Sequence, residues 1–200
     1  MSSDHVLIDQ IAQNLLFRDA RTANTFSDEP VSDEQIEALY DLVKWAPTSF
    51  NQQPLRVALV RSEAAKSRLV PLMWDSNQGK TAAAPLNAVL AADLEFHENL
   101  PEQFPVFPQA KEIFFAEEAA RVESALLNAT LQVAYFILGV RAIGLAAGPM
   151  TGFEADKVSE EFFPGGRHRA LAVVNVGRPG PNAWYDRLPR LSYDRVFSNH

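Results

Sequence analysis

Five short stretches of this chain gather donors that could grip an anion and the edge of a flat ring. In Arg18-Asp19-Ala20-Arg21-Thr22-Ala23-Asn24-Thr25-Phe26, a guanidinium, a hydroxyl and an amide stand at positions 21, 22 and 24. Arginine presents a forked donor set that matches phosphate oxygens, and Thr22 and Asn24 add neutral donors. Alone, the strip also reads as a solvated turn with a helix cap. Pro47-Thr48-Ser49-Phe50-Asn51-Gln52-Gln53-Pro54 carries two hydroxyls and three amides with no charge, and its terminal prolines restrict the backbone, so the polar groups would meet a sugar or ring edge preorganised. Its plain alternative is an amide-rich loop making its own turn bonds.

Three weaker stretches join them. Asn77-Gln78-Gly79-Lys80 could aim an amide and an ammonium at a pyrimidine-like edge, where a positive charge stabilises an electron-rich ring; a solvent-facing lysine is the ordinary reading. Gly144-Leu145-Ala146-Ala147-Gly148-Pro149-Met150-Thr151-Gly152 reads as a small-residue turn whose backbone N–H groups can approach a ligand closely, or simply as a helix stop. Arg187-Leu188-Pro189-Arg190 lies in an extended C-terminal tail, and Trp184, Tyr185 and Tyr193 give that tail reason to pack rather than float.

Charge narrows the ligand. The chain has 18 Lys+Arg against 25 Asp+Glu, yet residues 164–200 hold six arginines against Asp186 and Asp194, a local +4 that leaves −11 on the other 163 residues. A mostly negative surface repels nucleic acid, whereas one positive pocket suits a small phosphorylated molecule. No glycine-rich dinucleotide fingerprint or P-loop is present, and His5, His97, His168 and His200 are scattered with no carboxylate at ligand spacing, so no metal site is expected. Ser49 lies in no nucleophile elbow.

The elements that must position these groups follow from periodicity. Val6, Leu7, Ile8, Ile11, Leu15 and Leu16 predict an opening amphipathic helix that stops near Arg18. Ser32-Asp33-Glu34-Gln35 is a capping box ahead of Ile36, Leu39, Tyr40 and Val43, and Pro47 closes that second helix. Residues 55–60, 86–94 and 170–176 read as strands, the second nearly all apolar and so central, while 62–74 and 154–162 read as helical. Interleaved strands and helices predict a layered α/β or α+β architecture. Pro101, Pro105 and Pro108 with Phe104 and Phe107 make 97–108 a loop, of the kind that serves as a lid.

Residues 110–140 read as one helix, on the order of 45 Å long at 1.5 Å per residue, which requires a kink or burial against a second subunit. Its uncharged part, Ala125 to Val140, is too short and too polar at Asn128, Thr130 and Gln132 to span a membrane, and is expected to be buried. Two hundred residues with 47% hydrophobic content suit one domain, 1–200, ending in an extended arm over 178–200. The absence of cysteine suits a reducing cytosol, and Asp4 and Asp9 interrupt any signal-peptide pattern, so a cytoplasmic location is expected.

Taken in order, the five stretches resemble the nitroreductase family of FMN-dependent enzymes, from Arg18 to Arg190. Arg21-Thr22-x-Asn24 is similar to the family's basic-hydroxyl strip, Pro47 to Pro54 to its hydroxyl-amide loop, Asn77 with Lys80 to its Asn-x-x-Lys element, Pro149 to Gly152 to its Pro-x-x-Gly turn, and Arg187 with Arg190 to its C-terminal basic pair. Residues 147–153 and 187–192 most resemble the malonic semialdehyde reductase group. Ala20 stands where many members have a second basic residue, and Thr151 where others have Glu, which would concentrate phosphate binding on Arg21, Arg187 and Arg190. The resemblance implies an α+β sandwich, a mostly antiparallel sheet flanked by helices. It also implies an intertwined homodimer with FMN at the interface, and Pro47, Thr48, Ser49 and Asn51 reaching it from the opposite subunit.

Three functions follow as expectations. The first is an oxidoreductase passing hydride from NADH or NADPH through flavin N5 to a small acceptor, either a 3-oxo acid such as malonic semialdehyde or a nitro or quinone compound. In it a backbone N–H near Thr151 serves N5, Lys80 stands by N1–C2=O, Phe104 and Phe107 line the acceptor face, and no side chain acts as acid or base. The second is a flavin carrier or sensor without turnover. The third is a flavin-free scaffold whose arginine tail docks a protein.

Overall fold

The computed structural model describes residues 6–200; Asp4 and His5 lie outside them. Its helices are α1 (Gln10–Gln13), α2 (Asp33–Val43), α3 (Glu63–Leu69), α4 (Asp75–Ala83), α5 (Leu100–Gln103), α6 (Ala110–Phe114), α7 (Glu118–Ala142), α8 (Ala155–Phe162) and α9 (Tyr193–Val196). Four strands, β1 (Leu55–Val60), β2 (Leu86–Asp93), β3 (Ala146–Met150) and β4 (His168–Gly177), form one antiparallel sheet in the order β1-β2-β4-β3.

Both faces of the sheet are covered, which is why β2 is buried along its whole length and reads as a continuous apolar run. Alternate residues serve alternate faces. Ala88, Leu90, Val174 and Val176 pack with Leu39 of α2 and with Phe136 and Val140 of α7, while Val89 and Val173 pack with Leu69 of α3, Met73, Met150 and Val158 of α8. A third apolar cluster lies beyond Asp93, where Phe96, Leu100, Ala110 and Phe115 meet Ala125 and Ala129 of α7.

Three of the expected strands and the capping box of α2 stand where the sequence places them, with Ser32 and Gln35 each bonding the other's backbone N–H. Four readings need correction. Residues 6–9 are not helical, because the Asp9 carboxylate accepts from the Ala12 N–H at 2.7 Å and caps α1 there; a π-helical turn then runs over Asn14–Arg18. Residues 146–150 are the edge strand β3, not a turn, and an edge tolerates Pro149 because its outward side needs no N–H. The 97–108 stretch is partly helical, since Pro101 occupies the first turn of α5, where a missing N–H costs nothing. The expected long helix breaks at Phe115–Glu117, where the Phe115 ring turns inward against Phe96 at 5.1 Å between centroids. What remains, α7, is 25 residues long and apolar enough to cross a membrane by length and composition, but it buries Ala125, Asn128, Ala129, Gln132, Phe136, Gly139 and Val140 against the rest of the chain.

Candidate functional site

Arg21, Thr22, Asn24, Arg187 and Arg190 come together around one cavity of about 260 Å³, with Ala20, Tyr185, Asp186 and Leu188 completing its wall. The N-terminal strip is held to the sheet by the Ala23 N–H donating to the Ala147 carbonyl and the Asn24 N–H to the Ala183 carbonyl, both at 3.0 Å. Gly148 permits this approach: a Cβ there would meet the Ala23 carbonyl oxygen at 2.7 Å. The arm returns over the strip because Arg187 Nη2 donates to the carbonyls of Arg18 and of Ala20, the latter at 3.2 Å.

The electrostatics of this cavity set it apart. Arg56, Arg61, Arg68, Arg121, Arg167 and Arg178 all hold a carboxylate. Arg21, Arg187 and Arg190, among the described residues, donate only to backbone carbonyls, Arg21 to Tyr185 at 3.1 Å and Arg190 to Leu188 and Pro189 at 2.8 and 3.1 Å. Although Asp186 lines the same cavity, none of the three pairs with it. Three exposed guanidinium groups therefore converge without a neutralising partner, which is what an anion site needs.

β3 leads from that cavity to the second cluster. Pro149 is half-buried and Met150 and Gly152 are buried, so Thr151, just past the end of β3, is the exposed member of this stretch. Asn77 at the start of α4 turns its Nδ2 into the protein, donating to the Gly152 carbonyl at 2.9 Å, and a Cβ on Gly152 would strike that same nitrogen at 2.7 Å and the Trp74 ring at 2.9 Å. Asn77 thus positions the turn. Lys80, half-buried in the last turn of α4, pairs with no carboxylate among the described residues, and its carbonyl accepts from Asn175 Nδ2 at 3.1 Å.

The Pro47–Pro54 loop is elsewhere. It enters β1 at Leu55, beside Ala92 and the far end of the sheet, whereas the arginine cavity abuts the start of β3 on the opposite edge. Three inter-strand spacings and a strand length separate the two, roughly 25 Å by ordinary sheet dimensions. The loop is strained, with Phe50, Asn51 and Gln53 at φ 52°, 51° and 45°, each costing roughly 1–2 kcal/mol for residues with a side chain. Thr48 Oγ1 accepts from the Gln53 N–H at 3.2 Å and Asn51 Nδ2 donates to the Gln103 carbonyl at 2.8 Å, while Pro47 and Ser49 face outward. Phe104 is half-buried edge-on to Phe50 at 5.4 Å, and Phe107 is more exposed, beside Phe114 at 6.1 Å.

A profile of the nitroreductase family matches residues 18–178. The chain belongs to the nitroreductase family. A Streptomyces coelicolor relative, provisionally named an NADH dehydrogenase/NAD(P)H nitroreductase, is 62% identical over 191 residues, covering 96% of this chain and 97% of its own. In fold, this nitroreductase-family chain is similar to a Bacillus subtilis protein (TM-score 0.86, 19% identity, 96% and 100% of the two chains). A comparable likeness links it to an Exiguobacterium sibiricum protein whose structure was solved in complex with FMN (TM-score 0.83, 20% identity, 96% and 98%). The family match stops before Arg187 and Arg190, so the C-terminal half of the arginine cavity in this nitroreductase-family chain lies outside the matched residues.

Two supports escaped the sequence reading. Ser124, Asn128 and Gln132 form an i, i+4, i+8 polar stripe on α7 that holds the loop: Gln52 Nε2 donates to Ser124 Oγ at 2.8 Å, the Ser49 N–H to Asn128 Oδ1 at 2.7 Å and the Leu55 N–H to Gln132 Oε1 at 2.9 Å. Asn87 and Asn175, fully buried on neighbouring strands, bond each other at 2.8 Å and donate to the carbonyls of Thr81 and Lys80, the orphan acceptors that end α4. The signal for both was helical spacing of polar residues in one case and lone asparagines in apolar strands in the other.

Proposed function

We propose that this protein is an FMN-dependent oxidoreductase that takes hydride from NADH or NADPH and delivers reducing equivalents to a small acceptor, a 3-oxo acid such as malonic semialdehyde or a nitro or quinone compound. The observation that carries the reading is the convergence of Arg21, Arg187 and Arg190 on one cavity without a carboxylate partner. The donor set fits FMN: three guanidinium groups for its phosphate, Thr22 and Asn24 for the ribityl chain, and the Pro149–Gly152 turn with Lys80 for the ring. Bound there, FMN would supply the two-electron redox chemistry that no side chain of this chain can provide. The residues hold, orient and polarise; Thr151 offers backbone at the open turn, and Lys80 offers a positive charge to the pyrimidine side of the ring.

The hydroxyl-amide loop lies roughly 25 Å from the arginine cavity, so both serve one flavin only if a second copy brings its Pro47–Asn51 loop across. A homodimer is therefore part of the proposal. It is supported by Leu127, Leu131 and Tyr135, which are 64%, 46% and 40% exposed on one face of α7, and by the edge of β1, unpaired among the described residues, with Val57 and Leu59 exposed. The cytoplasmic location expected from composition belongs to the same reading.

The test begins with colour. Purified protein should be yellow and release FMN on denaturation. Anaerobic addition of NADH or NADPH should bleach it, and a semialdehyde, quinone or nitro compound should restore the colour. Protein that refuses FMN sinks the proposal, and protein that binds FMN but is never bleached is a carrier instead.

A further inference from the structure

Phe50 is one of three residues of the hydroxyl-amide loop held at positive φ, and the one whose side chain anchors it in an aromatic cluster. Its ring lies 5.4 Å from that of Phe104, 5.2 Å from Phe114 and 5.6 Å from Phe115, all three on the segment 96–117. Gln103 of the same segment adds a polar clasp, its carbonyl accepting from Asn51 Nδ2 at 2.8 Å and its Oε1 from Gln53 Nε2 at 2.9 Å. The segment is fixed beneath, where Phe96 and Phe115 are buried with Ala125 and Ala129 of α7, and open above, where Phe107 and Phe114 face solvent. Phe50 sits at φ 52°, a backbone state that is costly for a residue with a side chain, so removing the ring contacts would favour its relaxation and loosen Ser49 and Asn51 on either side.

We propose that Phe50 is a positioning residue that couples the 96–117 segment to the flavin-binding loop. The packing of Phe104, Phe114 and Phe115 around it then sets how Thr48, Ser49 and Asn51 meet the cofactor. The inference rests on the FMN reading above. It makes the lid expected from the prolines something other than an independent flap: a flat acceptor wedged behind Phe107 and Phe114 would change flavin affinity, and by reciprocity flavin would change affinity for that acceptor.

The experiment is FMN titration of the full-length apoprotein, followed by flavin fluorescence, for wild type, Phe50→Ala, Phe114→Ala and the double variant. Each single change should weaken FMN roughly threefold to tenfold, the worth of a lost aromatic pair. The double should be no weaker than the worse single by more than about twofold, because both cut one link. Phe114 presents no polar group to a ligand, so a change in the visible circular dichroism of bound flavin in Phe114→Ala is a readout that loss of stability alone would not produce. Phe114→Tyr should restore both signals, since the ring is 47% exposed and leaves room for a hydroxyl. Wild-type affinity and dichroism in Phe114→Ala overturn the coupling, as do fully additive losses in the double. If Phe50→Ala does not fold, the two Phe114 variants decide alone. A wild type that takes no FMN fells the functional reading and the coupling together, whereas a wild type that binds beside an indifferent Phe114→Ala fells only the coupling.

Discussion

The side-chain oxygen of Asn128 accepts the backbone N–H of Ser49 at 2.7 Å, tying the middle of the longest helix to the loop that the flavin reading needs. Asn128 also donates to the Ser124 carbonyl one turn back at 2.9 Å, so its amide is fixed from both sides. Asn128→Ala leaves the Ser49 N–H without its partner, a cost of about 1–3 kcal/mol. Thermal unfolding should reveal that loss, and FMN titration should reveal weaker binding because the loop is no longer held in its left-handed turn. Lowered stability with unchanged FMN affinity would reduce Asn128 to a packing residue.

Arg21, Arg187 and Arg190 should each weaken FMN about tenfold when changed to alanine, the low end of what a hydrogen bond to a charged group contributes, because all three are exposed. The loss should be steeper for FMN than for riboflavin, which lacks the phosphate. Raising salt to about 0.5 M should weaken wild-type FMN binding and leave the alanine variants less affected, since screening acts on the charges they no longer have. Equal losses for riboflavin and FMN would place the phosphate elsewhere.

The sequence made the sheet legible where burial on both faces demanded unbroken apolar runs, as in Leu86–Asp93, and made α2 legible through the Ser32 capping box. It also picked out residues that the fold brings together, since Arg21 and Arg190 share a cavity despite standing near opposite ends of the chain. It hid β3, because Gly148 and Pro149 are poor strand formers that an edge position accepts. It hid the roles of Asn128 and Gln132 as well, because hydrogen bonds to backbone groups at distant positions leave only a faint spacing in the helix.

Lys80 rests on Asn175, whose Nδ2 bonds its carbonyl from the central strand β4. Lys80→Ala should lower the reduction potential of bound flavin, because a positive charge beside the ring favours the electron-rich form. Asn175→Ala frees the end of α4 and should shift the potential in the same direction by less, with a stability loss of about 1–3 kcal/mol from the unsatisfied carbonyl and amide. A potential unchanged in a folded Lys80→Ala holoprotein would remove the lysine from the ring.

Acid should lower the stability of the fold in two steps. Burial, aided by the neighbouring Arg121, holds His97 below its ordinary pKa, and burial, aided by Arg167 and Arg56, does the same for His168. Burial pushes the Asp93 carboxyl up, but bonds from Arg167 at 2.7 and 3.0 Å and from Arg56 at 2.8 Å outweigh it and leave the pKa low. Groups with depressed pKa contribute stability that is full above the unfolded value and lost as pH falls through the folded one. The histidine contribution should therefore fade below about pH 6.5 and that of Asp93 below about pH 4. His97→Gln with His168→Gln should flatten the first decline in the unfolding midpoint. Asp93→Asn should cost roughly 2–3 kcal/mol at neutral pH, less than a fully buried pair because the arginines are half-exposed, and should remove the second.

The outer face of α7 carries an apolar row that its own chain leaves in solvent. Leu127, Leu131 and Tyr135 repeat every four residues and are exposed together, and a helix face of that kind in water calls for cover. If a second copy covers it and delivers the Pro47–Asn51 loop, the wild type should sediment as a dimer. Leu131→Glu should then sediment as a monomer and lose FMN at the same time, because each flavin would be left with the arginine half of its site alone. The far-ultraviolet dichroism of the variant should stay close to wild type, since Leu131 is nearly half exposed within its own chain. A Leu131→Glu monomer that keeps full FMN affinity would mean that one chain suffices, and that the gap of roughly 25 Å between loop and cavity is bridged by movement within it.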